Sequence, residues 1–282
     1  MTQSSIEALA GLEQIGWKAL LVGEAGVGKT CSLRTLLNTG QRVCFLAAEN
    51  NAVSGARTAA ALWLKENPGK EFPADRFHVC VPQRKVSGTK KLLEAAEKSL
   101  TIPLEAQMKN ADPNKKDYDR FASILKSNTT FVSVTGEDLG LVDSWGMETT
   151  LAIDSLTIIC ESIKKHVIGG KKTISQPEWG AMQSWLIDYL RMITEDLKCN
   201  VVLMAHPAKE TDLLMGGVKI YPANLGQALN NTIPGYFSDV VWCFRKGGEY
   251  LWSTDDKQAV TRAGILPVKA EMKADFSQFF PK

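Results

Sequence analysis

Short apolar runs alternate along this chain with longer segments whose apolar residues recur at helical spacing. The first such runs cover residues 17–22, 42–48 and 77–81, and each gives way to a glycine-rich loop, an acidic residue or a proline. Runs bounded in this way are typical of buried strands, and the helical segments between them are typical of crossover helices. The first third of the chain therefore predicts a parallel sheet with helices packed against it.

The same alternation continues to the end of the chain. Further strands are predicted at residues 149–153, 201–205, 239–244, 250–253 and 258–261. Helices are predicted at residues 29–38, 88–109, about 117–126 and 177–197, whereas the polar residues 110–119 favour an exposed loop. Because the last strands are short and closely spaced, we expect a small antiparallel extension of the sheet. Residues 1–282 are thus predicted to form one α/β domain, least defined at residues 50–150.

Overall composition sets few limits on function. The 282 residues carry 33 lysines and arginines against 31 aspartates and glutamates, so net charge favours neither nucleic acid nor membrane as a partner. No apolar run approaches the roughly 20 residues that cross a bilayer. Six scattered cysteines form no Cys-x-x-Cys pair, which favours free thiols over a metal site or disulfides. We therefore expect a soluble cytoplasmic protein without a membrane partner.

The strongest chemical signal is a glycine-rich segment at residues 23–30, which reads Gly-Glu-Ala-Gly-Val-Gly-Lys-Thr. It falls between a predicted strand and a predicted helix, where backbone N–H groups can surround phosphate oxygens. In such a P-loop, Lys29 contacts the β- and γ-phosphates and the Thr30 hydroxyl binds Mg²⁺. The candidate nucleotide contacts are Gly23, Glu24, Ala25, Gly26, Val27, Gly28, Lys29, Thr30 and Cys31. An ordinary glycine turn is the less favoured alternative.

Three polar residues at the ends of predicted strands complete a candidate site. A P-loop needs a second anchor for Mg²⁺, and Asp154 is the candidate because it ends the strand at residues 149–153. Hydrolysis also needs a group that orients water, for which Glu49 is the candidate, and His206 is placed to bind the γ-phosphate. The alternatives are a helix cap for Asp154, a surface acid or helix cap for Glu49, and a core histidine for His206.

The succession of these motifs resembles a known family. The P-loop, the segments that end in Glu49 and His206, and the Asp154-Ser155 pair are similar to the ATPase core of the RecA and DnaB group. From residue 17 to about residue 264, the chain resembles phage-encoded AAA-type ATP-binding proteins, among them the RecA-core single-strand annealing proteins. The resemblance implies a RecA-like fold, ATP and Mg²⁺ as cofactors, water activation by Glu49 and phosphate sensing by His206. It places the protein in the bacterial host cytoplasm if the chain is phage-encoded.

The resemblance also implies single-stranded DNA as a partner, bound by two loops. The first loop is expected at residues 162–179, where lysines flank a Gly-Gly pair, and the second at residues 207–234. The candidate DNA-binding residues are Lys164, Lys165, Lys171, Lys172, Lys209, Lys219 and Tyr221. A lysine run is equally typical of a solvated face, and Tyr221 could either stack on a base or pack its loop against the domain.

Self-association is a further implication of the resemblance. In hexameric helicases of the group, an arginine placed like Arg262 reaches the γ-phosphate bound by the neighbouring subunit. Arg262 is therefore a candidate catalytic residue in a ring or filament of identical subunits, and a surface arginine is the alternative. The helicase pattern has a basic residue two positions earlier, where this chain has Val260.

These observations favour an ATPase that acts on single-stranded DNA in annealing or strand exchange, with a single-stranded DNA-binding protein as a further partner. In this hypothesis ATP orders the two DNA-binding loops. The alternative is a nucleotide-regulated ring ATPase or loader that acts on a protein. DNA-stimulated ATP turnover would distinguish the two. A small-molecule kinase is disfavoured because the sequence contains no arginine-rich lid segment.

Overall fold

The computed structural model describes residues 15–49, 51–82, 118–169, 171–211 and 217–280. The strands within these residues are numbered in chain order. They are β1 (Lys18–Val22), β2 (Arg42–Ala47), β3 (Phe77–Cys80), β4 (Thr130–Val132), β5 (Asp138–Leu141), β6 (Thr149–Asp154), β7 (Asn200–Ala205), β8 (Pro207–Thr211), β9 (Val218–Pro222), β10 (Asp239–Lys246), β11 (Glu249–Ser253) and β12 (Met272–Lys273).

Eight of these strands form the central sheet, in the order β12-β11-β10-β1-β7-β6-β2-β3. Neighbours from β10 to β3 are all parallel, whereas β11 and β12 are antiparallel and extend the sheet beyond β10. The remaining strands form two separate hairpins, β4-β5 and β8-β9. The predicted fold class is therefore confirmed: an α/β fold with a mainly parallel sheet and a small antiparallel C-terminal extension.

Helices flank both faces of the central sheet. They are α1 (Lys29–Ser32), α2 (Arg34–Leu37), α3 (Ala52–Glu66), α4 (Tyr118–Thr129), α5 (Leu156–Ile168) and α6 (Gln176–Arg191). Side chains of β1 point alternately to the two faces, as expected for a strand. Leu20 belongs to the apolar layer that contains residues of α4, α5 and α6, and Leu21 to the layer that contains residues of α2 and α3. The sheet is thus buried on both faces, which explains its continuous apolar strands.

Several predicted elements differ in detail. The helix predicted at residues 29–38 is divided in two at Leu33, whose N–H donates to Thr30 O, three residues back. The helix predicted at residues 177–197 ends at Arg191 and is followed by a π-helix (Met192–Asp196). The helix predicted at residues 88–109 lies outside the described residues, as does nearly all of the loop predicted at residues 110–119.

The prediction of a strand at residues 258–261 is wrong. Ala259 makes an isolated parallel bridge to Ile220 in β9, while Arg262 makes an isolated antiparallel bridge to Val240 in β10. Because this short segment divides its backbone hydrogen bonds between two different partners, it forms no continuous ladder with either. The antiparallel extension is instead completed by β12.

Among the described helices, none is long and apolar enough to cross a membrane. The six cysteines are free, and all except the half-buried Cys31 are buried. Burial raises the pKa of the Cys243 thiol to about 12, which keeps this thiol protonated beside the P-loop.

Candidate nucleotide site

The P-loop connects the carboxyl end of β1 to α1 at the centre of the sheet. Its first residue is fixed from both sides: Gly23 N–H donates to Ala205 O of β7 at 3.2 Å, and the Gly23 α-carbon packs on Cys243 of β10. Glu24, at the outer part of the loop, is exposed. The base of the loop is therefore rigidly held while its outer part is open to a ligand.

Two features of the structure require glycine at position 28, at the start of α1. The φ of Gly28, +90°, is a left-handed conformation that favours glycine. In addition, a β-carbon at this position would lie 2.5 Å from Cδ1 of Tyr250, whose ring packs directly on the loop. Tyr250 belongs to β11, and the guanidinium of Arg245 lies 5.5 Å from its ring centroid. The C-terminal extension thus forms one wall of the P-loop.

Lys29 is buried within the loop, with only 7% of its surface exposed. Its Nζ donates to Gly23 O at 2.6 Å and to Glu24 O at 3.0 Å. Burial lowers the pKa of Lys29 below its ordinary value, and nearby acidic groups, Asp154 among them, oppose that shift. A buried ammonium held by two neutral carbonyls can exchange them for phosphate oxygens, which are stronger acceptors.

Thr30 and Asp154 lie together as the sequence predicts. The Thr30 hydroxyl donates to Asp154 Oδ2 at 2.9 Å, although the two residues come from α1 and β6. Burial raises the pKa of Asp154, and the nearby Glu49 carboxylate raises it further. A hydroxyl and a carboxylate at this separation are oxygen donors of the kind that Mg²⁺ prefers. A divalent cation would also offset the proximity of two carboxylates, so these residues fit Mg²⁺.

Glu49 follows β2 and is held in place through its side chain. Its Oε1 accepts a hydrogen bond from Ser155 Oγ at 2.5 Å and lies 3.0 Å from His206 Nε2. The backbone is fixed too, because Glu49 N–H donates to Asp154 O at 2.9 Å. Arg120 of α4 donates to the carbonyl of the preceding residue, Ala48, at 2.5 Å. A carboxylate restrained in this way is suited to orient a water molecule.

His206 directly follows β7, and its ring is about one-third exposed. Its backbone N–H lies 3.3 Å from Thr157 Oγ1 in α5, and its imidazole contacts Glu49. The ring of His206 therefore does not lie in the core, because it faces an acidic partner at the edge of the sheet. Lys29, Thr30, Asp154, Glu49 and His206 all lie at the carboxyl edge of adjacent parallel strands.

Within its own chain, Arg262 lies away from the P-loop. Its backbone pairs with Val240, near the amino end of β10, whereas the P-loop follows the carboxyl end of the parallel neighbour β1. The side chain is exposed, and its Nη1 donates to Gly235 O at 3.3 Å. Arg262 therefore does not contribute to the site of the same chain. Its predicted action between subunits stays a prediction.

The first predicted DNA-binding loop is shorter than expected. Residues 162–168 belong to α5, so Lys164 and Lys165 lie on its last turns with their side chains exposed. Lys172 is exposed in the short connection to α6. Lys171 donates to Glu178 at 2.6 Å, and this contact is the main reason that the pKa of Glu178 falls to about 2. The basic segment is thus half helical, and Lys171 already has an acidic partner.

The second predicted DNA-binding loop contains the β8-β9 hairpin, which starts directly after His206. Lys209 lies on β8, 3.7 Å from Glu24 of the P-loop, and Lys219 lies exposed on β9. Tyr221 is only 7% exposed, so it packs the hairpin against the domain and its ring face is not open to a base. The stacking role considered for Tyr221 is therefore corrected to a packing role.

Several site residues were not identified from the sequence. Tyr250 and Arg120 reach the site only through tertiary packing, so no local pattern marks them. Ser155 directly follows Asp154, and its hydroxyl position beside a metal anchor was a usable signal. Gly55 lies in α3, a helix that the sequence analysis does not predict, so no local pattern marks its contact with the P-loop.

An α/β fold with a P-loop at the carboxyl end of its central strand β1 defines the class of P-loop nucleotide-binding proteins. A scan against protein-family models finds no match, and a search of the curated proteins finds none. Among solved structures, the chain is similar to the RadB recombinase, with a TM-score of 0.42 and 14% identity, covering 89% of this chain and 86% of that one.

Two further solved structures are similar to the chain. One is the flagellar accessory protein FlaH from Methanocaldococcus jannaschii, with a TM-score of 0.37 and 9% identity, covering 95% of this chain and 89% of that one. The other is a prototypical ATPase from the type III secretion system of pathogenic bacteria, with a TM-score of 0.36 and 10% identity, covering 82% of this chain and 53% of that one. Function has to be inferred from the site itself.

Proposed function

We propose that the chain forms one RecA-like ATPase domain that binds ATP with Mg²⁺ at the P-loop and hydrolyses it. The observation that carries this proposal is the contact of Glu49 with Ser155 and His206, beside the Thr30–Asp154 pair. Binding of nucleotide alone requires only a P-loop, whereas a restrained carboxylate next to the metal anchor is the feature that hydrolysis needs.

Each residue of the site has a separate role in the proposed hydrolysis. Lys29 and the backbone N–H groups of the loop hold the phosphates, while Thr30 and Asp154 hold Mg²⁺. The bound Mg²⁺ supplies positive charge that stabilises the phosphoryl oxygens during transfer. Glu49 orients the attacking water and accepts its proton. His206 reports the presence of the γ-phosphate by donating to it rather than to Glu49.

We further propose that this ATPase acts on single-stranded DNA, in annealing or strand exchange of the phage type. It associates with copies of itself and with a single-stranded DNA-binding protein. The support is the position of the β8-β9 hairpin, which begins directly after His206 and contacts the P-loop through Lys209 and Glu24. A strand that starts at the phosphate sensor transmits any displacement of the sensor to the hairpin. DNA bound there would thus be coupled to ATP.

A ring ATPase or loader acting on a protein is the second candidate. Specific contacts favour it, because Lys171 and Lys209 already pair with Glu178 and Glu24, and Tyr221 is buried. Each of these reduces the number of groups open to DNA. Steady-state phosphate release with and without a single-stranded oligonucleotide separates the two candidates: stimulation supports the DNA substrate, and identical rates support a protein partner.

The basic segment provides a direct test of DNA contact. Replacing Lys164, Lys165, Lys171 and Lys172 with alanine is expected to weaken binding to single-stranded DNA. The slope of log affinity against log salt should fall by about 2 to 3, because each phosphate contact contributes roughly 0.7 for a single strand. Fluorescence anisotropy with a labelled oligonucleotide at several salt concentrations measures both quantities.

A matched control removes the same charge from elsewhere on the surface. It replaces four other exposed lysines, Lys65, Lys70, Lys269 and Lys273, with alanine. This control is expected to leave the salt slope nearly unchanged. Equal slopes for the wild type and the variant of the basic segment would remove that segment from the proposed DNA interface.

The proposed role of Arg262 in a neighbouring subunit predicts complementation. Arg262→Ala and Lys29→Ala proteins should each hydrolyse ATP poorly. Mixing them in equal amounts should restore turnover at roughly a quarter of the sites, where an intact P-loop meets an intact arginine. Phosphate release by the mixture, compared with the sum of the separate proteins, measures this. A mixture no faster than that sum would contradict a shared site.

A further inference from the structure

The helix α3 approaches the P-loop closely at one residue, Gly55. A β-carbon built on Gly55 would lie 2.9 Å from Thr30 Cγ2, 3.0 Å from Thr30 Cβ and 3.3 Å from Thr30 Oγ1. The first of these separations is shorter than real β-carbons tolerate. Thr30 therefore occupies the space that a side chain at position 55 would need.

Conformation does not explain this glycine. Gly55 lies within α3 (Ala52–Glu66), and it is not among the glycines of the chain with a positive φ. Glycine is the poorest helix former apart from proline, so alanine would favour the helix itself. The requirement for glycine at position 55 is thus one of space next to Thr30.

The backbone of α3 cannot easily move away from Thr30. Ala52 N–H donates to Glu49 O at 3.2 Å, and Gly55 N–H donates to Asn51 O at 3.3 Å. Ala52 and Ala56, on either side of Gly55, are both buried in the core. A side chain added at position 55 would therefore displace Thr30 rather than the helix.

We propose that Gly55 is a positioning residue that sets the place of the Thr30 hydroxyl against Asp154, and with it the binding of the divalent cation that accompanies the nucleotide. This inference rests on the proposed ATPase function. Its own content is narrower: the absence of a side chain in α3 holds a magnesium ligand of the P-loop at 2.9 Å from its carboxylate partner.

The expected result for Gly55→Ala is a selective loss of the Mg²⁺ response. The Mg²⁺ concentration that half-saturates nucleotide binding should rise by about 10- to 100-fold, as happens when the support of a metal ligand is removed. ATP turnover should fall by a similar factor. Binding of a fluorescent ATP analogue in EDTA should change by less than about threefold, because phosphate contacts to the loop backbone do not need the Thr30 hydroxyl.

The matched control is Gly180→Ala in α6, where a β-carbon meets no atom within 4 Å. Both substitutions favour a helix in the same way, and Gly180→Ala is expected to leave nucleotide binding and its Mg²⁺ response unchanged. Thermal unfolding of both variants shows whether either has lost its fold.

A compensating variant tests the route of the effect. Thr30→Ser keeps the hydroxyl and removes Cγ2, the atom that a side chain at position 55 would meet first. The double variant with Gly55→Ala and Thr30→Ser is therefore expected to return to within about threefold of Thr30→Ser alone in its Mg²⁺ response, because the remaining contacts need only small shifts. A role of Gly55 that does not act through Thr30 would show no such recovery.

The outcomes are distinguishable. A wild-type protein that binds no nucleotide with or without Mg²⁺ overturns the proposed function. A wild type that binds Mg²⁺ and ATP, together with a Gly55→Ala variant of the same Mg²⁺ dependence, overturns the role of Gly55 alone. If Gly55→Ala unfolds the protein, restoration of the fold by Thr30→Ser supports the contact, and failure to restore it overturns the inference.

Discussion

Lys29→Ala is expected to abolish ATP turnover and to weaken ATP binding by about 100-fold or more, because charged hydrogen bonds of roughly 1.5 to 3 kcal/mol each are lost. Lys29 is 7% exposed, and its ammonium donates to the Gly23 and Glu24 carbonyls. Alanine offers no donor to the β- and γ-phosphates, and no other lysine of the described loop can replace it. Phosphate release and equilibrium binding of a fluorescent ATP analogue measure the two effects.

A second buried lysine separates loss of phosphate binding from loss of stability. Lys18 of β1 is 5% exposed, and its Nζ donates to Leu197 O at 2.7 Å and to Cys199 O at 2.6 Å, away from the P-loop. Lys18→Met should lower the free energy of unfolding by about 1 to 3 kcal/mol, since two carbonyls lose a donor. The folded fraction should still turn over ATP. Normal turnover in the Lys29→Ala protein would contradict the P-loop assignment itself.

Glu49→Gln is expected to leave ATP binding intact and to slow hydrolysis by about 100- to 10,000-fold, the usual contribution of a general base. The amide has nearly the same shape, and its oxygen can still accept the Ser155 hydrogen bond. It cannot accept a proton from water. Single-turnover hydrolysis and a binding titration at the same Mg²⁺ concentration separate the chemical step from affinity.

The control for this substitution is Glu161→Gln, an exposed acid on α5. It removes the same charge without touching the site and is expected to leave the single-turnover rate unchanged. Wild-type rates in the Glu49→Gln protein would assign water activation to another group. Weakened ATP binding without a slower chemical step would assign Glu49 to binding alone.

Much of the site could be predicted because parallel strands end at a common edge. Glu49, Asp154 and His206 each follow an apolar run, and the P-loop follows another. Once the runs are read as parallel strands, their terminal residues must meet. The prediction needed no knowledge of the distances between these residues, only of the strand boundaries, which the sequence defines to within one residue.

Contacts between side chains could not be predicted in this way. Tyr250 on Gly28 and Gly55 on Thr30 join segments whose separation in sequence is unrelated to their packing. The Ser155 hydrogen bond to Glu49 depends on the register of β2 against β6, in which Ala47 pairs with Asp154. Local patterns contain none of this information.

The error over the first DNA-binding loop has a physical cause. Its lysines and its Gly-Gly pair resembled a mobile connection, yet Ile163 and Ile168 are buried and Lys164 and Lys165 are exposed. Such spacing is that of an amphipathic helix, which continues until Gly169. The apolar residues between the lysines, rather than the charges themselves, determine the structure of this segment.

The order of strands in the sheet has a consequence for biosynthesis. The P-loop is encoded near the beginning of the described chain, but its strand β1 lies between β7 and β10, which are encoded much later. Since a growing chain emerges from its amino end, β1 has no neighbour in the sheet until β7 is complete at residue 205, and its second neighbour β10 is complete only at residue 246. Such distant pairings also slow folding. In the proposed function, ATP would therefore stabilise only a polypeptide that already includes β10, and a shorter translation product would gain nothing from it.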